Sequence, residues 1–431
     1  MAPHAPLLKR TLLLAAGFGI ALLTAAFGRE TGTQPERTGF QKERLGIVPL
    51  KVPAVVRSES PNGCRIALAA RKGGKWRVVV DGEPGPEYEG IMQGSPVFSS
   101  DGRRVAYAAK KGEKWLVVVD GQPGPEYDGI GEGDPIFSSD GRRVVYMAAK
   151  GGTKLFVADG QPGPVYDDIS AAVFSSDGRR VAYVAEKGGK WLVVVDGQPG
   201  PEYDAISART PVFSSDGRRV AYGAKKGVKV LVVVDGQPGP EYDGIMQGTP
   251  VFSSDGRGVA YVAGKGGKLL VVVDGRPGPE YDGIMQGTPV FSSDGRRAAY
   301  AAKKGGKWRA VVDGQPGPEY DVIGEGNPIF SSDGRGVAYA AKKGEKWLVV
   351  VDGKPGPECD LIGKGTLLFS SDGRRVAYAA KKGEKWLVVM EGQPGPEYDG
   401  IMQGSPVFSS DGRRVAYAAK KGEKWLVVME G

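Results

Sequence analysis

The chain has almost no histidine and almost no cysteine. Its single histidine among 431 residues is His4, and its two cysteines are Cys64 and Cys359. His4 lies in an N-terminal segment that we expect to be removed on export, so the mature chain would have no histidine. That excludes Ser-His-Asp and Cys-His catalysis and histidine-ligated metal sites. The cysteines lie in repeats that should not be neighbours, so we expect no disulfide, and we expect no metal and no cofactor.

The sequence also has only one long hydrophobic run, "TLLLAAGFGIALLTAAF", at residues 11–27 after Lys9 and Arg10. Seventeen residues suit the apolar region of a signal peptide better than a membrane span, which needs about 20. We therefore predict a signal peptide at residues 1–28, with an uncleaved N-terminal anchor as the alternative, and a polar linker at residues 29–45. The predicted location is exported, either periplasmic or associated with a bacterial cell envelope.

The charge balance is only mildly basic. The whole chain has 58 Lys+Arg against 50 Asp+Glu, a formal net charge of +8, and removing Lys9 and Arg10 with the signal peptide lowers it to +6. An exported protein with so small an excess is a poor candidate for nucleic-acid binding. We expect no nucleic-acid partner, and membrane contact only through an uncleaved anchor.

The 69 glycines and 31 prolines are placed periodically. The motif "FSSDG" occurs nine times, from residues 98–102 to residues 408–412, and "VVVDG" or a variant of it recurs every 39 residues with one step of 37. A more divergent copy, "SPNGCRIALAARKGGKWRVVVDG", precedes them, which makes ten copies over residues 46–431. A fixed period of this length is typical of solenoids, arrays and propellers.

Each repeat contains four strand signals, "PVFSS", "RRVAYAAKK", "KWLVVVDG" and "PEYDGI", and no helical period. We therefore predict an all-β fold, a β-propeller of four-stranded antiparallel blades. Asp-Gly is a preferred pair for a type I′ hairpin, so we interpret FSSDG as a structural turn rather than a catalytic motif. The residues predicted to form such structural turns include Asp101, Gly102, Asp140, Gly141, Asp216 and Gly217.

The unit "PVFSSDGRRVAYAAKKGEKWLVVVDG" resembles the WD-repeat-like blade of TolB-type β-propellers over about residues 58–431. It departs from that pattern by having Ser100 and its equivalents where the family usually has proline. From this sequence we expect neither the α/β domain that precedes the TolB propeller nor the hydrolase domain of prolyl-oligopeptidase-like enzymes. The resemblance implies a propeller and a binding role.

The last repeat stops at Gly431, after its third strand. A shift by one period places residues 46–52, "GIVPLKV", where the fourth strand would lie, so the N-terminal segment is predicted to close the array. We favour one contiguous ring of ten blades. Two five-bladed rings or an open spiral are the alternatives, since ten exceeds the common range of four to eight.

The turn between the second and third strands is rich in lysine, as in "KKGEK", and would place a ring of lysines on one face of the propeller. The other face would carry Asp101, Arg103 and Glu126. The lysine ring is a candidate multivalent site for an anionic partner, although solvated turn residues that maintain solubility give the same pattern. The candidate binding residues are Lys111, Lys114, Lys226, Lys229, Lys304, Lys307, Lys343, Lys346, Lys382, Lys385, Lys421 and Lys424.

Three functions fit this sequence. The first is an exported, non-enzymatic and monomeric scaffold that binds another envelope protein or an anionic polymer. The second is a hydrolase-type enzyme acting on glycans or peptides through acidic channel residues, for which Asp128 and Glu126 are a candidate pair. The third is a structural spacer without a specific ligand. Departures from the repeat, such as Glu186 and Lys364, are scattered and share no chemistry, which favours the scaffold and no catalytic residue.

Overall fold

The computed structural model describes residues 55–430, except residues 134, 171, 208–210, 247–249, 288, 325 and 327. The described chain forms ten antiparallel sheets, one for each repeat, and contains no helix, so none of the described residues could form a membrane-spanning helix. The predicted all-β fold of about ten blade-like sheets is confirmed. The segment predicted to close the array, residues 46–52, lies outside the described residues.

Two long strands form the centre of each sheet. We number the sheets 1 to 10 in chain order. In sheet 2, Val105–Lys111 pairs with Lys114–Val119, and Lys111 lies opposite Lys114. The β-branched and alanine residues of these strands are buried on both faces, which is the pattern of a sheet covered on both sides. The second strands are Ile66–Lys72, Val105–Lys111, Val144–Lys150, Val181–Lys187, Val220–Lys226, Val259–Lys265, Ala298–Lys304, Val337–Lys343, Val376–Lys382 and Val415–Lys421. The third strands are Lys75–Val80, Lys114–Val119, Thr153–Ala158, Lys190–Val195, Lys229–Val234, Lys268–Val273, Lys307–Val312, Lys346–Val351, Lys385–Met390 and Lys424–Glu430.

The inner edge of sheets 2 to 10 is a first strand in two short segments, which both pair with the second strand. In sheet 1 it is one segment, Val55–Glu59. The first segments of the other sheets are Gly90–Ile91, Gly129–Ile130, Asp168–Ile169, Ala205–Ile206, Gly244–Ile245, Gly283–Ile284, Val322–Ile323, Leu361–Ile362 and Gly400–Ile401. The second segments are Val97–Phe98, Ile136–Phe137, Val173–Phe174, Val212–Phe213, Val251–Phe252, Val290–Phe291, Ile329–Phe330, Leu368–Phe369 and Val407–Phe408.

The outer edge is a short fourth strand that starts after the "VVVDG" turn. In sheet 2 it begins at Gln122–Pro123 and reaches a last bridge between Tyr127 and Trp115. The prediction that "PEYDGI" is one strand is therefore wrong at its end, since Gly129–Ile130 starts the first strand of the next sheet. The fourth strands are Glu83–Pro84, Gln122–Pro123, Gln161–Tyr166, Gln198–Pro199, Gln237–Pro238, Arg276–Pro277, Gln315–Pro316, Lys354–Pro355 and Gln393–Pro394.

The type I′ turn lies at the second Asp-Gly pair of the repeat, not at FSSDG. Asp120 has φ +50° and Gly121 has φ +80°, as a type I′ turn requires, whereas in FSSDG only Gly102, at φ +72°, has a positive φ. The type I′ assignment at FSSDG is wrong because side chains build that turn. The Ser99 hydroxyl donates to Asp101 at 2.6 Å, and the amide of Arg103 donates to the same carboxylate oxygen at 3.0 Å.

The core lies between neighbouring sheets. One cluster joins Ala67, Ala69 and Val78 of sheet 1 to Tyr107 and Leu116 of sheet 2, and equivalent clusters follow along the chain. Arginines also connect the sheets. Arg104 pairs with Asp120 of its own sheet at 2.8 Å and donates to the carbonyl oxygen of Arg142 in the next sheet at 2.5 Å. Each sheet is therefore held mainly by its neighbours in sequence, as in other repeat proteins.

Candidate functional site

The turn between the second and third strands places two lysines side by side on one edge of nine of the ten sheets, and in sheet 3 Thr153 lies opposite Lys150. In sheet 2, Gly112 has φ +60°, and the chain reverses so that Lys111 and Lys114 lie directly opposite each other. We call the ten lysines that end the second strands the hairpin-end lysines. They are all exposed, and they are Lys72, Lys111, Lys150, Lys187, Lys226, Lys265, Lys304, Lys343, Lys382 and Lys421.

The lysine that begins the third strand is paired in most sheets. Lys114 donates to Asp128, which lies on the link to the next sheet, and the other oxygen of Asp128 accepts from the amide of Gly151 in the next hairpin at 2.7 Å. These hydrogen bonds, that from Lys114 first, lower the pKa of Asp128 below its usual range. The aspartate thus connects two neighbouring sheets. The equivalent pairs of the predicted lysines are Lys229–Asp243, Lys307–Asp321, Lys346–Asp360 and Lys385–Asp399.

Lys424 belongs to the same position in the last sheet, and no ion pair is formed by it within the described residues. The twelve predicted lysines therefore fall into two groups. Six of them begin third strands. Five of these six bind an aspartate on the link to the next sheet, and Lys424 is the exception among the described residues. The five are Lys114, Lys229, Lys307, Lys346 and Lys385. The remaining six are hairpin-end lysines.

The hairpin-end lysines are mostly without a carboxylate partner. Lys111 pairs with Glu126 at 3.0 Å. Within the described part of the chain, no ion pair is formed by the other five predicted ones, which are Lys226, Lys304, Lys343, Lys382 and Lys421. The structure therefore places one exposed ammonium group at the same position of sheet after sheet.

Carboxylates share this edge with the lysines. Glu126 was expected on the opposite face with Asp101 and Arg103, but its contact with Lys111 places it on the lysine edge. Glu113 lies in the same hairpin turn, 3.8 Å from Lys110. The edge is consequently of mixed charge.

The opposite edge carries exposed arginines. We call the first arginine after each FSSDG a rim arginine, as in Arg103, Arg142 and Arg218. The side chains of five of them are 82% to 89% exposed, and the nearest carboxylate lies 3.8 to 3.9 Å away. Arg104 on this edge binds Asp120, whereas Asp128 binds Lys114 on the lysine edge.

Two clefts open between neighbouring sheets on the arginine edge. The first, of about 290 Å³, lies between sheets 2 and 3 and includes Arg104, Gln122, Tyr146 and Asp159. The second, of about 460 Å³, is its equivalent between sheets 7 and 8 and includes Arg297. Their polar groups are the arginine and aspartate that connect the sheets, so the clefts are a product of the repeat.

The carboxylate pair proposed for catalysis is divided between two lysines. Glu126 binds Lys111, and Asp128 binds Lys114 with a lowered pKa, which keeps Asp128 ionised at neutral pH. A general acid needs the opposite shift, toward neutral pH. The described residues contain no cluster of three or more His, Cys, Asp or Glu side chains able to hold a metal ion.

Sequence reasoning missed the role of Asp128 and its equivalents. The signal was present, because the lysine and the aspartate recur 14 residues apart in repeat after repeat. The FSSDG serines were missed too. Ser99 is buried in its turn, and Ser100 donates to the carbonyl oxygen of Ser139 in the next sheet at 2.5 Å.

Comparison with known proteins gives a likeness of fold. No protein-family model and no curated protein matches the sequence. Similar solved structures include a eukaryotic initiation factor, with 13% identity over 74% of this chain and 90% of that chain and a TM-score of 0.33. TolB from Acinetobacter baumannii has 19% identity over 49% of this chain and 62% of that chain, with a TM-score of 0.24. The β-propeller domain of the Trilobed protease from Pyrococcus furiosus, described as having an open velcro topology, has 13% identity over 62% and 97% of the two chains and a TM-score of 0.28. TolB and other β-propellers are thus among the similar structures, as the sequence resemblance predicted.

Proposed function

We propose that the chain is an exported, non-enzymatic binding scaffold that uses its hairpin-end lysines to hold a partner carrying many negative charges. The observation that supports this proposal is the recurrence of one exposed lysine at the same place in all ten sheets. Export rests on the signal peptide predicted at residues 1–28.

An anionic polymer fits this arrangement best. Each lysine end is solvated, so a single contact contributes at most about 1 kcal/mol. A polymer that reaches several sheets makes the later contacts intramolecular, and its overall affinity then exceeds that of any single contact. The pairing of Lys114 with Asp128 holds the hairpins in fixed positions, which reduces the ordering needed on binding.

The test replaces six hairpin-end lysines with glutamate, at positions 111, 226, 304, 343, 382 and 421. The matched control replaces six rim arginines with glutamate, at positions 103, 142, 179, 218, 257 and 296. Both variants change the net charge equally, and all twelve side chains are exposed. Folding is checked by circular dichroism, and binding to poly-glutamate is measured by titration calorimetry at two salt concentrations.

We expect the lysine variant to bind at least about tenfold more weakly, or 1.4 kcal/mol. The arginine variant should bind much as the native chain does. Native binding should weaken as salt is raised, since exposed charges are screened. Equal losses in both variants would mean that net charge alone attracts the polymer, and unchanged binding in the lysine variant would contradict the proposal.

A further inference from the structure

Every pair of neighbouring sheets uses the same two surfaces. We call the surface that a sheet turns toward the next sheet its forward face, and the opposite surface its back face. Between sheets 9 and 10, the forward face contributes Ala377 and Val388, and the back face contributes Val415, Tyr417 and Ala419. The forward face is thus made of small and β-branched side chains, and the back face supplies a buried tyrosine.

The geometry of this interface hardly changes along the chain. At eight of the nine interfaces a tyrosine of one sheet meets a tyrosine of the next edge to face, with ring centroids 6.0 to 6.4 Å apart and planes at 72° to 77°. The bond from the second FSSDG serine to the next sheet recurs as well, for example at 2.6 Å from Ser215 to Ser254. One interface has therefore been repeated nine times.

No other part of the described chain covers the forward face of sheet 10. Val427 is 82% exposed, whereas its equivalent in sheet 9, Val388, is 1% exposed. On the same face Trp425 is 51% and Met429 is 60% exposed. The residue equivalent to Val427 is apolar and buried in each of the other nine sheets, so the last sheet presents half of an interface without its other half.

The back face of sheet 1 has no neighbouring sheet either, among residues 55–430 as far as they are described. Leu68 occupies the place of the buried tyrosine and is only half-buried. Arg77 replaces the leucine found at position 116, and its guanidinium binds Glu87. The same replacement occurs inside the array, where Arg309 of sheet 7 binds Glu319. The side chain of Arg309 is only 16% exposed, against 35% for Arg77, so this interface accepts an arginine–glutamate pair when it is covered.

Donors at the end of the array also lack their usual acceptors. In sheets 2, 3, 4, 5, 7 and 9 the second arginine after FSSDG donates to a carbonyl oxygen of the following sheet, as Arg143 does to Arg179 at 2.8 Å. The equivalent in sheet 10, Arg414, reaches only the sulfur of Met429, at 3.6 Å, within the described residues. A following back face would supply the carbonyl oxygen.

We propose that the forward face of sheet 10 binds the back face of sheet 1 in a second copy of this chain, head to tail. The two open faces are the two halves of an interface already formed nine times, so a second copy can dock without any change in the geometry between sheets. Joining the two faces within one chain would instead require the geometry between sheets to change, because the two faces do not meet within the described residues. Such a heterologous contact extends into a linear assembly. This proposal departs from the expectation of a monomer and does not depend on the proposed function.

The test compares the full chain with Val427→Glu and with the matched control Val228→Glu. Both valines are exposed, Val427 at 82% and Val228 at 85%, but Val228 lies in a hairpin turn away from the open face. A third variant, Leu68→Glu, places a charge on the back face of sheet 1. Sedimentation velocity at several protein concentrations measures self-association, and circular dichroism checks that each variant folds.

We expect the native chain and Val228→Glu to associate more as concentration rises. Val427→Glu and Leu68→Glu should each associate at least tenfold more weakly. A mixture of these last two should form a dimer, because each retains the face that the other lacks.

Three results would overturn the proposal. A native chain that stays monomeric at every concentration would mean that the open faces meet within one chain, are covered by another segment such as residues 29–54, or stay free. An equal loss in Val427→Glu and Val228→Glu would place the contact elsewhere. Association of Leu68→Glu alone would indicate a contact between two like faces.

Discussion

The connection of one sheet to the next through Arg219 should contribute measurably to stability. Arg219 pairs with Asp235 at 2.8 Å, donates to the carbonyl oxygen of Arg257 in the next sheet, and lies over the ring of Phe252 at 5.8 Å. Its side chain is about one third exposed. Replacing it with glycine removes all three contacts. The chain tolerates glycine at this position, since Gly258 and Gly336 are its equivalents in sheets 6 and 8.

The size of the loss follows from these contacts. A hydrogen bond to a charged donor that is partly exposed contributes about 1 kcal/mol. A half-exposed ion pair contributes up to about 0.5 kcal/mol, and a cation–π contact about 0.5 kcal/mol. We therefore expect Arg219→Gly to lower the free energy of unfolding by about 2 kcal/mol beyond the intrinsic cost of a glycine.

The matched control is Arg218→Gly, one residue earlier. The side chain of Arg218 is 85% exposed, and the Asp216 carboxylate is 3.9 Å away. Both variants acquire the same glycine backbone, so their difference isolates the contacts of Arg219. Urea unfolding followed by circular dichroism measures the two midpoints. Equal shifts in the two variants would refute the reasoning.

Two further predictions concern ionisation. The pKa of Asp128 is lowered chiefly by Lys114, and the pKa of Asp101 chiefly by the Ser99 hydroxyl, so the folded chain binds fewer protons at these carboxylates than the unfolded chain does. The stabilisation from these carboxylates is complete above the usual carboxyl pKa of about 4 and is lost as the pH falls below that value. We therefore expect the melting temperature to drop in that pH range, and to drop less steeply in Asp243→Asn, which removes an equivalent of Asp128 whose pKa is also lowered. A melting temperature that does not change with pH would contradict this prediction. Burial raises the pKa of the Cys359 thiol to about 11, while Cys64 is exposed, so alkylation of the folded chain at neutral pH should modify Cys64 alone. Denaturation should expose the second thiol, and a double adduct on the folded chain would be inconsistent with the structure.

Much of the fold could be predicted because each repeat contains the same order of strand and turn signals. The long strands were evident from β-branched runs such as Val117–Val119, which are buried on both faces or nearly so. The sequence did not show to which sheet each short strand segment belongs. A two-residue segment such as Gly129–Ile130 carries no periodicity, and only its pairing with Ala148 and Ala149 assigns it to the next sheet.

The two Asp-Gly pairs of each repeat show why turn types were harder to predict. Both pairs are favourable for a type I′ turn. At Asp101 the hydroxyl of Ser99 and the amide of Arg103 bind the carboxylate, and only the glycine takes a positive φ. At Asp120 the carboxylate instead accepts from the amide of Val105, on the neighbouring strand, and both residues take positive φ. The difference depends on sheet register, which a dipeptide does not encode.

The candidate site likewise has a part that the sequence predicts and a part that only the structure shows. The hairpin position of Lys111 and Lys114 followed directly from "KKGEK" between two strands. The partner of Lys114 did not, because Asp128 approaches it only after the chain has completed the fourth strand and turned toward the next sheet. Sequence therefore identified the row of lysines, and the structure separated the lysines that bind an aspartate on the link to the next sheet from the hairpin-end lysines.

The most direct test of the central claim is a graded one. Hairpin-end lysines are replaced with glutamate two, four and six at a time, starting from Lys226 and Lys304, and the affinity for poly-glutamate is measured for each variant. Multivalent binding along a repeated edge predicts a stepwise fall in affinity with each pair of replacements. Loss of all binding with the first pair would reveal a single local site, and no loss after six replacements would contradict a binding function for this edge.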